Sequence, residues 1–262
     1  MAYIALIKIK LPFFSIRNPE SFQIGSSLPI PPPSALIGSL AYAVAVKEGL
    51  SPDEALAKVR DHVVLARASL MSEAPAVPNP ILLWRYRILD KKREVLKLIK
   101  SKGHNYTEVK NALEQKYKDA LYREYLFVHN ISVAYVLRRG RVIPRDAFYL
   151  ISRLGDTEST CSVTNVQISM YSEVQMKNVE TEYPLVFDEE FIDDVEGDYM
   201  IIKMTDELRI MKSYVVPIRR KFIETKRGVK AVVYEPSKVK VNLKKPVRVY
   251  MFNSNYIVDV PA

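Results

Sequence analysis

Tyr3-Ile-Ala-Leu-Ile-Lys-Ile-Lys-Leu, closed by Pro12, sets the reading of the whole chain. Apolar and β-branched residues fill it, Lys8 and Lys10 alternate with apolar neighbours, and the proline ends it, so the stretch predicts a strand. After a loop from Phe13 to Pro32, Ser34-Ala-Leu-Ile-Gly-Ser-Leu-Ala-Tyr-Ala-Val-Ala-Val-Lys places Leu36, Ile37, Leu40, Tyr42 and Val44 nearly all round a helix. Such a helix is expected to be deeply buried. A second helix starts at Ser51-Pro-Asp-Glu, with Ser51 as N-cap, Pro52 at the first helical position and Glu54 completing a capping box. His62 to Leu70 then reads as a strand. The chain thus opens as a ferredoxin-like unit.

A polar interruption follows, with Pro75, Pro78 and Pro80 and then two charged helical stretches, Lys91 to Lys102 and Tyr106 to Tyr122. From Arg85 to Glu124 there are twelve Lys and Arg against six Asp and Glu, about two thirds of the chain's net charge. Leu126 to Leu137 returns to strand-like sequence, Arg138 to Arg145 is a basic turn, Asp146 to Leu154 a short helix and Ser162 to Val174 an alternating strand. The expected class is therefore α+β. Residues 1–178 are expected to form a ferredoxin-like (RRM-like) βαββαβ domain with a helical insertion at about 75–124, and residues 179–262 a smaller β-rich part. Nine acidic and no basic residues from Val179 to Asp198 precede eleven basic and two acidic from Pro217 to Arg248. That reversal suggests a linker or edge near Val179, with strands around Met200, Ile210, Val229 and Val247 beyond it.

The composition, 48% hydrophobic with a net charge of +9, allows one larger or two modest cores and favours a polyanionic partner. A solvated basic surface is the plain alternative. Cys161, the one cysteine, can form neither an internal disulfide nor a thiolate zinc cluster, which points to a reducing compartment. Met1 to Leu11 is too short and mixed for a signal peptide, and no run approaches the roughly 18 apolar residues of a membrane helix. A cytoplasmic, non-membrane protein is expected.

His62, His104 and His129 are the only histidines, and none belongs to a recognised motif. There is no Gly-x-Ser-x-Gly elbow, Walker loop, Gly-x-Gly-x-x-Gly or His-Glu-x-x-His, which argues against hydrolase, nucleotide-binding and metalloprotease chemistry. A metal-independent ribonuclease using scattered His, Lys and Tyr leaves little sequence trace and stays open. Asp188-Glu-Glu-Phe-Ile-Asp-Asp-Val-Glu lacks the glycine and ligand order of a calcium loop and reads as a solvated or partner-facing segment away from nucleic acid. No cofactor, metal site or catalytic residue is expected.

RNA contact is expected first at Arg138-Arg-Gly-Arg-Val-Ile-Pro-Arg. There Gly140 permits a tight turn, and Arg138, Arg139, Arg141 and Arg145 offer planar forks to phosphates and bases. A solubilising turn is the alternative. A second site is the stiff loop Ser26-Ser-Leu-Pro-Ile-Pro-Pro-Pro-Ser-Ala-Leu-Ile-Gly, which leads into a helix N-terminus that attracts anions. Ser34 either caps that helix or donates to a ligand, and Arg17 lies in the same loop. Arg219-Arg220-Lys221 and Lys226-Arg227 read as a charged hairpin touching RNA or a partner protein, or else solvent.

Leu28-Pro-Ile-Pro-Pro-Pro-Ser-Ala-Leu-Ile-Gly-Ser-Leu-Ala-Tyr-Ala, together with Arg153-Leu-Gly-Asp-Thr-Glu-Ser, resembles the Cas five family of CRISPR Cascade complexes, with the archaeal type I-A branch fitting best. The resemblance implies a ferredoxin-like domain with a thumb-like insertion and a smaller C-terminal sheet. It implies a ribonucleoprotein subunit in antiviral defence that grips the 5′ handle of CRISPR RNA at one end of the backbone. The Ser34 loop and the loop from Arg153 to Glu158 would flank that handle. The insertion would lie against a backbone subunit, the large subunit would be a further partner, and target DNA would be met only through the complex. One branch, type I-C, processes CRISPR RNA itself; nothing here places the chain with it, although a repeat-cutting endoribonuclease and a protein-only scaffold remain the rival readings. Arg153 and Glu158 could instead simply pair across the Gly155 turn.

Overall fold

The computed structural model describes residues 3–21, 25–71, 75–86, 91–138, 143–224, 228 and 230–261. In chain order, the first elements are β1 (Tyr3–Lys10), β2 (Phe13–Phe14), α1 (Pro33–Glu48), α2 (Pro52–His62) and β3 (Val63–Leu70). Next come β4 (Val77–Tyr86), α3 (Lys92–Lys102), α4 (Tyr106–Lys116), β5 (Lys118–Phe127), β6 (Asn130–Leu137), α5 (Arg145–Tyr149) and β7 (Ser162–Met170). The rest is strand: β8 (Ser172–Thr181), β9 (Leu185–Val186), β10 (Ile192–Gly197), β11 (Met200–Thr205), β12 (Met211–Val216), β13 (Ile218–Glu224), β14 (Lys230–Pro236), β15 (Val239–Phe252) and β16 (Asn255–Asp259).

The central sheet has the order β3-β6-β1-β7, with every neighbouring pair antiparallel. β1 is buried on both faces, because alternate side chains point to opposite sides of a pleat and both sides are covered. Ala5, Ile7 and Ile9 join Leu36, Ile37, Leu40 and Val44 of α1 in the larger core. Ile4, Leu65, Ala134 and Val136 join Tyr171, Tyr183, Tyr250, Phe252 and Ile257 in a second cluster. The C-terminal strands therefore cover the sheet face opposite the helices. The open sheet face that an RRM-like reading invites is thus covered.

Several boundaries differ from the sequence reading for identifiable reasons. The helix expected from Tyr106 to Tyr122 stops at Lys116 and gives way to β5, which pairs along its length with β4. The insertion is thus a β-ribbon capped by two short helices. Pro78 and Pro80 sit inside β4, which is tolerated because β4 is the outer strand of the order β2-β5-β4 and its proline nitrogens face no partner. His62 ends α2 instead of starting β3, its Nδ1 lying 2.6 Å from the Lys58 carbonyl. The strand expected from Leu126 to Leu137 breaks at Val128 and His129 into β5 and β6, and that from Ser162 to Val174 breaks at Tyr171 into β7 and β8. The helix expected from Asp146 to Leu154 is the shorter α5.

Val179 lies not in a linker but inside β8, opposite Val241 of β15. The charge reversal has a cross-strand origin: Glu180 is registered with Lys240, and Glu196 of β10 is also opposite Lys240. The β15 part of the basic segment thus lies beside acidic strands in one sheet, while its β13 and β14 form a ribbon of their own. The strands expected around Met200, Ile210 and Val247 correspond to β11, β12 and β15, while Val229 lies outside the described residues.

Candidate nucleic-acid interface

α1 begins with Pro32 as N-cap and Pro33 at the first helical position, where its fixed φ starts the helix and its missing N–H costs nothing. Ser34 therefore stands two positions too late to cap, and no side chain caps this end. Its hydroxyl instead meets that of Thr205 at the end of β11. Ser34, Gly38 and Tyr42 recur every fourth residue and form one stripe of α1. Contrary to the all-round burial expected from sequence, Tyr42 is 58% exposed.

That stripe forms one side of an open groove of about 370 Å³ that is also lined by Ser39, Arg153, Gly155 and Arg209. Gly38 has nothing within 4 Å of where a Cβ would stand, so its backbone is open to whatever enters. Among the described residues, neither Arg153 nor Arg209 has an ion-pair partner. The arrangement can accept a phosphate between guanidinium groups and stack a base on Tyr42. Sequence reading named Ser34 and Arg153 and missed Tyr42, Gly38 and Arg209.

The Arg153 loop is fixed from below. Gly155 has a φ of 120°, and a Cβ there would lie 2.9 Å from Ile16 Cγ1 and 3.1 Å from the Ser15 carbonyl oxygen, which only glycine avoids. Arg123 of β5 reaches the loop through an ion pair with Asp156, a second with Glu158 at 2.7 Å and a hydrogen bond to Ser15 Oγ at 3.0 Å. The Tyr125 hydroxyl also donates to Glu158 at 2.6 Å. That bond and the Arg123 charge hold the Glu158 carboxyl below its ordinary range. Glu158 is thus taken by the thumb strand, not by Arg153 across the turn as sequence spacing allowed. The insertion sets the shape of the groove without lining it.

The remaining candidates separate. Arg138 is exposed just beyond β6, where its N–H meets the His62 carbonyl. Arg138 does not line the groove. Arg139 and Arg141 lie outside the described residues, as do Lys226 and Arg227. Arg145 donates to the Val166 carbonyl at 2.8 Å, covering β7 at the edge of the central sheet. Arg17 is exposed and bridged through its backbone to Ser27, outside the groove. Arg219 pairs with Asp198 at 2.7 Å, Lys221 with Glu235 at 3.3 Å, and Arg220 lies over Phe222. These pairings leave less positive charge on the β13–β14 hairpin than its sequence suggests. No group of three His, Cys, Asp or Glu suited to a metal occurs among the described residues. No helix there is long and apolar enough to cross a membrane.

Residues 5–166 match the sequence profile of the CRISPR-associated protein (Cas_Cas5) family. The chain is 29% identical over 162 residues to CRISPR-associated protein Cas5 of Thermoproteus tenax, covering 62% of this chain and 64% of that one. It is 30% identical over 177 residues to the protein of the same name from Methanocaldococcus jannaschii, covering 63% of each. The match thus spans less than two thirds of either relative. In fold, the chain is similar to a CRISPR protein from Archaeoglobus fulgidus, with a TM-score of 0.61 at 13% identity over 99% of this chain and all of the other. The profile match covers β1 through the middle of β7, including α1 and the Arg153 loop, and on that match the chain belongs to the Cas5 family of CRISPR-associated proteins.

Proposed function

We propose that this chain is a non-catalytic subunit of a type I CRISPR Cascade surveillance complex, of the archaeal type I-A kind. It binds the 5′ handle of CRISPR RNA and caps the backbone for guide-directed DNA recognition in antiviral defence. The observation that carries the reading is the groove, which brings Ser34 and Arg153, from the two sequence stretches that resemble the family, onto one surface with an exposed tyrosine. Free guanidinium groups and an aromatic face suit single-stranded RNA, which proteins hold by phosphate contacts and stacking. The strand order β3-β6-β1-β7 with antiparallel neighbours supports the ferredoxin-like reading of the first part. The capped ribbon β4–β5 supports the thumb, whose partners are taken to be a backbone subunit and the RNA.

Positioning, with no chemistry on the RNA, is supported by the histidines. His62 is bound to its own helix, while His104 and His129 are exposed on the insertion and between β5 and β6, none of them lining the groove. The full chain is expected to bind labelled repeat RNA with salt-sensitive affinity and to return it uncut in EDTA. Arg153→Ala should weaken binding and flatten the salt slope. Discrete cleavage abolished by one histidine substitution would establish the ribonuclease reading in its place, and purification without any protected small RNA would favour a protein-only scaffold.

A further inference from the structure

Arg209 is the one non-glycine residue of the β11–β12 turn with positive φ, at 69°. The turn closes with the Arg209 N–H donating to the Asp206 carbonyl at 3.0 Å and the Asp206 N–H donating to the Ile210 carbonyl at 2.8 Å. This is the three-residue hairpin pattern in which a turn is followed by a left-handed residue, a position that favours glycine. An arginine held there is strained, and strained backbone persists where surrounding structure enforces it, often at functional sites.

The enforcement is visible. Asp206 Oδ1 accepts from the Leu208 N–H at 2.9 Å and the Ile210 N–H at 2.8 Å, and Asp206 pairs with Lys212 at 2.9 Å. Glu207 pairs with Arg67, which is 3% exposed in β3 and stacked 5.4 Å from the Tyr214 ring, and Glu207 also accepts the Ala66 N–H at 2.9 Å. The Ser34–Thr205 contact ties the base of the hairpin to α1. A buried ion pair, an aspartate knot and a hydroxyl contact thus fix a turn whose remaining charged side chain, Arg209, lines the groove.

We infer that the β11–β12 turn is a preformed clamp, in which Arg209, like Arg153, binds a backbone phosphate of single-stranded RNA and Glu207 acts as the positioning residue through Arg67. The inference rests on the groove being the RNA site. It adds that the C-terminal part, beyond the residues of the family match, supplies half of the grip. Because the backbone of the turn is held before binding, little of its conformational freedom is lost when the phosphate arrives.

The test uses Arg209→Gly in the full chain, which removes the guanidinium while relieving the backbone. The probe is a labelled single-stranded RNA copied from the CRISPR repeat nearest the gene, titrated at several salt concentrations, with thermal melting in parallel. The expected result is an unchanged or higher melting temperature, affinity lower by about tenfold, as for loss of a charge-assisted hydrogen bond, and a log–log salt slope shallower by about 0.7. Arg209→Lys should keep the slope and lose part of the affinity. If wild type and Arg153→Ala differ as expected but Arg209→Gly binds like wild type with the same slope, the clamp is overturned and the groove stands. If wild type does not bind the RNA, the groove reading falls and the clamp with it.

Discussion

Two glycines of the groove should respond to the same substitution with opposite signs. At Gly155 a methyl group would meet Ile16 Cγ1 at 2.9 Å and the Ser15 carbonyl at 3.1 Å, and the φ of 120° is closed to alanine. Forcing a side chain into such a conformation costs about 1–3 kcal/mol, and overpacking a fitted contact about as much again. A loss of roughly 3 kcal/mol is therefore expected for Gly155→Ala. For a chain of this size that lowers the melting temperature by roughly 6–12 °C. At Gly38 a methyl meets nothing within 4 Å, and replacing a helix-interior glycine by alanine stabilises by about 0.5–1 kcal/mol. Gly38→Ala should thus raise the melting temperature slightly, yet its methyl projects into the groove, so RNA affinity should drop. Circular dichroism melts with urea midpoints, followed by RNA titration, read both effects. A Gly155→Ala protein that melts and binds like wild type would refute the account of this loop, and a Gly38→Ala protein with unimpaired binding would refute the α1 side of the groove.

Glu207→Gln leaves the Arg67 guanidinium buried without its counter-charge and should cost about 3–5 kcal/mol by urea unfolding, with Arg67→Met in the same chain restoring part of the loss. Burial opposes the Arg67 charge, but Glu207, together with Tyr214 and Asp259, more than offsets it and holds the guanidinium pKa above the ordinary value. The Glu158 tether has a pH dependence of definite sign. Its folded pKa is lowered from the ordinary 4.5, so its contribution is fully present above that value and fades as pH falls through the folded one. Wild type should lose urea resistance across that acid window faster than Glu158→Gln does. Burial pushes the Cys161 thiol up to about 12. Alkylation by iodoacetamide near pH of about 8 should therefore be slow in the native protein and become fast on unfolding, as mass spectrometry would report.

The parts of the fold carried by local chemistry were legible. Ser51 and Glu54 announce α2, and both halves of their capping box form, with the Ser51 N–H donating to Glu54 at 3.0 Å. The apolar run of β1 reads as a strand because it packs on both sides. What escaped is what distance along the chain conceals. The prolines read only as the start of an insertion, yet they mark β4 as an outer strand once its pairing with β5 is known. Tyr42 counted as core because an all-apolar helix gives no hint of which stripe stays uncovered. Arg123 looked like one more charge of a basic insertion, yet it holds Asp156 and Glu158, which no spacing rule connects to it. Asp206 did carry a signal, since aspartate favours the first position of a turn. The left-handed residue that follows is an arginine, so the usual glycine mark was missing.

The same lesson governs charge. Summed along the sequence, eleven basic residues from Pro217 to Arg248 seem to offer a polyanion a broad surface, and nine acidic ones before them seem to repel it. In the structure parts of the two runs meet: Lys240 of β15 opposes both Glu180 and Glu196, and Arg219 of the separate β13–β14 ribbon pairs with Asp198. Exposed pairs of this kind add little stability, but they cancel most of each other's field beyond about 8 Å at physiological salt. A phosphate therefore responds to cations without a nearby carboxylate far more than to the total of +9. Arg153 and Arg209 both line a groove in which no acidic side chain is a lining residue. Substitution of Lys240, which stands opposite two carboxylates, should therefore change the salt dependence of RNA binding much less than substitution of Arg153 or Arg209.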